Sequence, residues 1–345
     1  MAPKAYPTRR LGKNGPLVSA LGLGTVGMGT FYGKSNDQES LETLTYAADR
    51  GMTFWDSADV YGPSEDLIGQ WFAQTGRRSE IFLCTKFGSP LGSSDAKPNS
   101  KPSYIRAQLK KSLARLQTDF IDLYYQRRVD PKVPIEVVLE TLQPFVESGQ
   151  IRWIGLSECS IATLKRAKAV KGVGEKVIAA QLEFSPFELY VEKTGLMDVI
   201  KEAGMALVAY SPLGRGLATG RFRSPADFDD GDFRKIAPRF SEENFPKNLK
   251  VVEELSTVAE KYNATTAQIS LAWILAEHPT CIPIPGCRGI KRLEENAHSA
   301  EIELAPEDVR AIRSVVESAE VAGARYLPIH QFTGDCIPLL EWRGE

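Results

Sequence analysis

The chain has 345 residues, 43% of them hydrophobic and 25% charged, close to the globular averages, which excludes wholesale disorder. Its 42 Lys plus Arg and 44 Asp plus Glu leave a formal charge of −2. With no global positive field, nucleic acid and anionic membrane are not expected partners, and any anion site must be local. The five cysteines, Cys84, Cys159, Cys281, Cys287 and Cys336, have no paired short spacing, which argues against a disulfide scaffold and a zinc ribbon. The opening MAPKAYPTRR lacks the apolar stretch of a secretory signal, and no apolar run approaches a membrane span, so a cytoplasmic location is expected.

In chain order, RRLGKNGPLV is expected to form a hairpin turning at Asn14-Gly15. The first strand is predicted over Val18–Thr25, followed by a helix from about Ser40 to Arg50 that stops at Gly51. Further strands are predicted over Thr53–Asp59, Ile81–Phe87, Phe120–Gln126, Ile151–Glu158, Val177–Phe184, Ala206–Ser211 and Cys281–Pro285. Both alternations of these segments are apolar, as in a parallel sheet covered on two faces. Between them, Ile105, Leu109, Leu113 and Leu116 make one helical face, and Ile135, Val138, Leu139, Leu142 and Phe145 make another. Pro102 and Pro134 stand at helix starts, and Gly76, Gly149 and Gly204 at helix ends.

Eight such alternations point to a (β/α)8 TIM barrel, since repeated right-handed βαβ units close a sheet on itself. A doubly wound open sheet is the competitor. The strand starts are evenly spaced with no composition break, which favours a single barrel domain over residues 1–345. The hairpin would then plug the barrel's bottom. The one irregular interval is the Gly-, Arg- and Asp-rich stretch Gly214–Asn248 after strand seven. A loop of that length is usually functional, so a lid over cofactor or substrate is expected there. Amphipathic helices near Leu249–Tyr262, Ala267–Glu277 and Pro306–Glu317 follow, with an irregular tail to Glu345.

Catalytic groups collect at the C-terminal strand ends of a barrel. Those ends carry Asp56, Tyr61, Lys86, Arg127, Ser157, Gln181 and Tyr210. A tyrosine can donate a proton, but an isolated phenol titrates near ~10; a neighbouring ammonium favours the phenolate and eases the transfer. Lys86 can be that ammonium, and a carboxylate such as Asp56 would keep it charged at the end of an apolar strand. Each residue alone also reads as ordinary packing or half of a structural ion pair; their joint appearance carries the argument.

The strings GLGT (22–25), DSADVYG (56–62), TK (85–86), DLYYQ (122–126), GLSE (155–158), QLEFSP (181–186), AYSPLGRGLATG (209–220) and PIPGCRGIKRLEEN (283–296) resemble the aldo-keto reductases over about Leu11 to Val316. LYYQ followed by RVDP is most like the branch that includes pyridoxal reductase and perakine reductase. The resemblance implies NADPH-dependent reduction of a small-molecule aldehyde or ketone by direct hydride transfer, using an Asp, Tyr, Lys and His set with Tyr as proton donor. Asp56, Tyr61 and Lys86 match the first three. Arg127 stands where the family's His is expected, with Arg128 next. A guanidinium is permanently charged and longer than an imidazole. Arg127 can polarise the carbonyl and stabilise the developing alkoxide, bind an anionic substrate group, or repel Lys86 and cripple turnover.

The resemblance also implies that Thr25 and Asp56 lie on the cofactor side, that Ser157 and Gln181 bond the nicotinamide carboxamide, and that Glu295 and Asn296 contact adenine. Tyr210 offers an aromatic face to the nicotinamide. In SPLGRG, Ser211, Leu213 and the glycines allow backbone N–H groups to approach the pyrophosphate, with Arg215 adding charge. Gly286 leads to Arg288 and a helix starting at Ile290; with Lys291 and Arg292 this is the local anion site, and two guanidiniums there favour NADP+ over NAD+. No GxGxxG follows strand one, which argues against a Rossmann pocket; His278, His298 and His330 have no metal-ligand spacing, so no metal is expected. Two other functions stay open at this point: a nicotinamide-binding regulatory protein with little turnover, and a reductase of a conjugated double bond.

Overall fold

The structure, a computed structural model, describes residues 5–29, 35–88, 97–326 and 334–345. His330 lies outside the described residues. Two short antiparallel strands come first, β1 (Thr8–Arg10) and β2 (Leu17–Ser19), with Arg9 opposite Val18. The turn between them departs from the expectation. Leu11 N bonds Pro16 O, and the left-handed residue is Gly12 (φ 76), not Asn14 or Gly15, so a wider loop replaces the two-residue turn.

Among the described residues an eight-stranded sheet follows, with every neighbouring pair parallel and in chain order: β3 (Leu23–Gly24), β4 (Phe54–Asp56), β5 (Phe82–Phe87), β6 (Ile121–Gln126), β7 (Ile151–Ser157), β8 (Val177–Glu183), β9 (Ala206–Tyr210) and β10 (Cys281–Pro283). A bridge between Gly24 and Gly286, with Gly22 N donating to Pro283 O and Gly24 N to Pro285 O, joins the first of these to the last. The barrel therefore closes. The expected first strand, Val18–Thr25, divides in two: Val18 belongs to the hairpin and only Leu23–Gly24 to the barrel.

Helices cover the outside: α1 (Asp37–Arg50), α2 (Ser64–Thr75), α3 (Pro102–Arg115), α4 (Ile135–Glu147), α5 (Ile161–Ala169), α6 (Tyr190–Lys193), α7 (Leu196–Glu202), α8 (Phe245–Lys261), α9 (Thr266–Glu277), α10 (Ile290–His298) and α11 (Pro306–Ser318). Helix α1 ends as its sequence predicts, with Gly51 left-handed at φ 86 and its N–H returned to Ala47 and Ala48 carbonyls. None of the helices of the described residues is long and apolar enough to cross a membrane. Residues 214–248, expected as an open loop, are largely short 3-10 turns at Gly214–Thr219, Pro225–Asp227, Phe233–Ile236 and Pro238–Phe240, and α8 begins within the stretch. All five cysteines are free thiols.

Strand alternation explains the doubly apolar sequence. Phe54, Cys84, Leu123, Tyr125, Ile178, Ala206, Val208 and Ile282 pack together inside the barrel, while Trp55, Leu83, Tyr124 and Leu207 join the layer under the helices. Leu11 of the hairpin loop, fully buried, belongs to the inner cluster, and Lys13 N bonds Gly204 O just ahead of β9. The hairpin thus seals the N-terminal end. A period of two carries the inner face onward from Phe54 to Asp56, Cys84 to Lys86, Tyr125 to Arg127, Gly155 to Ser157, Ala179 to Gln181 and Val208 to Tyr210. The next inner layer at the C-terminal end is polar, and it consists of the residues singled out above.

Candidate active site

A cavity of about 720 Å3 opens at that end. Asp56, Tyr61, Lys86 and Arg127 line it together with Ser157, Gln181, Tyr210, Ser211, Leu213, Arg215, Gly286, Arg288, Arg292, Glu295 and Asn296. Of the expected site residues two are missing from the wall, Lys291 and, beside Asp56, Thr25. Its side chain is turned inward, where Oγ1 donates to Asp56 O (3.0 Å) and accepts from Ser64 Oγ (2.6 Å). On that geometry the Thr25 side chain braces the chain carrying Asp56, while its neighbours Gly24 and Val26 line the cavity.

At the floor, Lys86 is 1% exposed and donates to Asp56 Oδ1 and to Ser57 O (2.6 Å). The second carboxylate oxygen of Asp56 accepts from Gln181 Nε2 at 2.8 Å. Burial raises the Asp56 carboxyl above its ordinary range, and the Lys86 ammonium opposes that. The ammonium nitrogen lies 5.3 Å from the Tyr61 ring centroid and 5.5 Å from that of Tyr125. Tyr125 fits beneath because its neighbour is Gly155, where an added Cβ would fall 2.3 Å from the ring. Tyr61 is carried by the turn between β4 and α2, its N–H bonded to Ala58 O. Arg127 follows β6 directly, its N–H donated to Phe87 O at 2.7 Å.

Around the Tyr210 end the wall is a web of ion pairs. Tyr210 Oη donates to Glu158 Oε1 and lies 2.9 Å from Tyr326 Oη. Arg325 grips Glu158 (2.7 Å), and burial, which would raise that carboxyl, is outweighed by Arg128 and Arg325, so it stays below the ordinary range. Arg215 pairs with Glu183 (3.1 Å), donates to Arg325 O (2.8 Å) and stacks 4.4 Å from the Tyr326 ring. Its charge is therefore partly compensated within the wall by Glu183, and Arg215 remains part of the cavity lining. Three non-glycine residues of this region, Glu158, Ser211 and Arg215, have left-handed backbones with φ of 51, 49 and 57, the kind of strain that clusters at functional sites.

The far end is basic. Helix α10 starts after Gly289, which supplies no side-chain cap, beside Arg288 and Arg292. Lys291 is exposed and not part of the wall. Glu295 is tied to α9, its Oε1 accepting from Thr265 Oγ1 and its carbonyl from Gln268 Nε2. The 221–236 segment covers this end. Arg234 forks Asp232 (2.6 and 3.0 Å), reaches Arg215 O, and lies over the rings of Phe222 and Phe228 at 4.5 and 4.3 Å.

Arg128, Glu158, Arg234 and Tyr326 belong to the site but carry no role in the sequence reading. Arg128 and Glu158 sit one residue beyond the strand-end residues Arg127 and Ser157, so the same criterion widened by one finds them. Arg234 and Tyr326 lie in irregular segments, where no periodicity marks a residue.

The aldo/keto reductase family model matches residues 20–317. The aldo-keto reductase str7 of Strobilurus tenacellus is 47% identical over 328 residues, covering 92% of this chain and 94% of that protein. The aldo-keto reductase yakc of Schizosaccharomyces pombe, whose name carries NADP(+), is 46% identical over 330 residues, covering 94% and 95%. Among solved structures, the glycerol dehydrogenase of Gluconobacter oxydans superposes with a TM-score of 0.80 at 26% identity, covering 92% of this chain and 97% of that one. A thermostable aldo-keto reductase in complex with the inhibitor epalrestat gives 0.72 at 29% identity, covering 90% and 99%. The chain belongs to the aldo/keto reductase family.

Proposed function

We propose that the chain, acting as a single barrel domain in the cytoplasm, reduces an aldehyde or ketone to an alcohol with NADPH, Tyr61 donating the proton. The observation that carries this is the buried Asp56–Lys86 pair beneath Tyr61, in one cavity with Ser157, Gln181 and Tyr210. The donor set fits a nicotinamide dinucleotide. Ser157 and Gln181 suit a carboxamide, Tyr210 an aromatic ring, Ser211, Leu213 and Gly286 a backbone-bound pyrophosphate, and Glu295 and Asn296 an adenine. Arg288 and Arg292 at the start of α10 suit a 2′-phosphate, in keeping with the NADP(+) of the fission-yeast relative's name.

When bound, the dihydronicotinamide supplies the hydride. Tyr61 gives its phenolic proton to the oxygen that was the carbonyl, and the Lys86 ammonium stabilises the negative charge left on Tyr61. Asp56 holds that ammonium in place. Arg127 aims a permanent positive charge at the carbonyl oxygen, which favours the alkoxide-like transition state. It offers hydrogen bonds only, since a guanidinium gives up no proton at neutral pH.

The test is to follow NADPH oxidation with aromatic, aliphatic and acidic aldehydes. Turnover with at least one class, lost by at least a hundredfold in Tyr61→Phe, is the expected result. Tight NADPH binding with no oxidation across all three would overturn the reading. Arg127→His then decides the fourth position: a fall in kcat/KM means a positive role for the guanidinium, and a large rise means that Arg127 impairs a reductase.

A further inference from the structure

The Tyr210 end of the cavity is held by a group that does not line it. Tyr210 and Tyr326 are part of the wall, whereas Glu158 stands behind it. Tyr210 Oη donates to Glu158 Oε1 at 2.9 Å, and the same hydroxyl oxygen lies 2.9 Å from Tyr326 Oη. Arg325 forks the carboxylate, Nη1 to Oε1 at 3.2 Å and Nη2 to Oε2 at 2.7 Å. The N–H of Glu183, on β8, adds a bond to Oε1 at 3.3 Å. Glu158 thus gathers the ends of β8 and β9 and the C-terminal segment that carries Arg325 and Tyr326.

The direction of these bonds follows from the protons available. Burial opposes a charge on Glu158, but Arg128 and Arg325 outweigh burial, so the carboxylate is ionised at neutral pH and can only accept. Tyr210 spends its one hydroxyl proton on Glu158. The contact between the two hydroxyls is then a hydrogen bond only with Tyr326 as its donor. The result is a directed chain, Tyr326 to Tyr210 to Glu158, that ends on an anion, which strengthens the last bond. Arg215 donates to Arg325 O at 2.8 Å and lies 4.4 Å from the centroid of the Tyr326 ring, so the two C-terminal donors are themselves held in place.

The backbone is an independent sign that the Glu158 side chain is used. Its φ of 51 is left-handed, with its N–H bonded to Gln181 O at 3.1 Å. Glycine adopts that conformation without penalty, whereas a residue with a Cβ is strained there. At Glu158 the strain is offset by the bonds that its carboxylate accepts.

We infer that Glu158 is a positioning residue for the nicotinamide end of the cavity, pinning the Tyr210 ring by its hydroxyl, with Arg325 and Tyr326 of the C-terminal segment completing the hold. The inference rests on the role proposed for Tyr210 above. A ring already fixed when the cofactor arrives need not be ordered by binding, so the hold acts on affinity for the nicotinamide half of the dinucleotide and not for the adenine half. The C-terminal segment is thereby part of the cofactor site.

The experiment measures, by titration calorimetry on the full-length protein, the affinities for NADP+ and for 2′-phospho-ADP-ribose, which is NADP+ without its nicotinamide. E158A should weaken NADP+ binding about tenfold, the size of ordering one side chain on binding, and 2′-phospho-ADP-ribose binding by less than about twofold. Y210F, which keeps the ring and loses the hydroxyl, should match E158A. The double variant E158A/Y210F should lie within about twofold of either single one, because both remove the same bond. Equal weakening of the two ligands, weakening of neither, or additive losses in the double variant overturns the hold.

Should E158A fold poorly, Y326F removes a single oxygen from the C-terminal segment. It should weaken NADP+ binding about threefold in the wild type, the size of one neutral hydrogen bond, and leave it unchanged on the Y210F background. No loss in the wild type, or an equal loss on both backgrounds, overturns the hold. A wild type without affinity for NADP+ overturns both the hold and the functional reading, whereas the expected binding pattern without carbonyl reduction overturns only the functional reading.

Discussion

Replacing Lys86 by Met tests whether the floor of the cavity is an obligatory ion pair. Met keeps most of the length of the apolar stem and removes the ammonium from a site where Lys86 and Asp56 are 1% and 2% exposed. Breaking a buried pair from one side costs about 3–5 kcal/mol because the remaining charge has no compensation. A chain of 345 residues unfolds with an entropy of about 0.7 kcal/mol/K at the residue-average value, so the thermal midpoint should fall by about 4–7 °C. The pH dependence sharpens the test. Without the ammonium, burial is opposed only by the Gln181 hydrogen bond, and the Asp56 carboxyl rises further. A group whose folded pKa lies above its unfolded value contributes stability that is complete below the unfolded pKa and is lost as pH rises through the folded one. The K86M deficit should therefore be smallest near pH 4–5 and widen towards neutrality. Calorimetry across pH 5–9 measures it, and D56N/K86M is the control. That double variant has no carboxylate at position 56, but the side-chain amide oxygen it carries there still accepts from Gln181, and most of the midpoint should return. A K86M midpoint within about 1 °C of wild type, or a double variant no more stable than K86M, would refute the reasoning.

Arg234→Ala removes the fork on Asp232 and the cation between Phe222 and Phe228; limited proteolysis should cut within 221–236 more than tenfold faster, while Arg234→Lys, which cannot fork, should rescue little. Glu158→Gln takes the acid from between Arg128 and Arg325; hydrogen exchange in the 321–326 segment should accelerate by at least about tenfold, and unchanged protection would show that the ion pair does not hold the segment. Glu192 is held at about 2: burial would raise it, but Arg313 at 2.8 Å and His278 at 2.7 Å outweigh burial. Because that pKa is depressed, its stabilisation is present above the unfolded value of about 4.3 and is lost as pH falls towards 2. Glu192→Gln should accordingly lower the thermal midpoint at pH 7, and the gap from wild type should close between about pH 4.5 and 2.

The barrel was legible because its two-faced burial is written into every strand. Phe54 points inward and Trp55 outward, Leu123 inward and Tyr124 outward, and the inner face carries no charged residue until it reaches the C-terminal rim. The appearance of Asp56, Lys86, Ser157 and Gln181 on that face is a break in a period of two, which a sequence displays directly. Partner choice is not displayed. Gln181 is bonded to Asp56, 125 positions away, and Arg215 is paired with Glu183 and capped by the Arg325 carbonyl, 110 positions away. Such pairings depend on how loops fold back across the rim. The hairpin turn failed for a local reason: Asn14-Gly15 is a strong two-residue signal, but Leu11 must enter the barrel, and the wider loop around Gly12 allows that.

The near-neutral composition has a structural counterpart at the rim. Lys86 is matched by Asp56, Arg215 by Glu183, Arg325 by Glu158, Arg234 by Asp232 and Arg239 by Glu188. Buried pairs of this kind add little net stability, because desolvation offsets attraction, yet breaking one from a single side is expensive. Their effect is to make alternative arrangements of the covering segments unfavourable. Arg215 brings the loop after β9 to the end of β8, and Arg325 brings the C-terminal segment to the end of β7, so two irregular segments are aligned on strand ends by charge rather than by periodic packing.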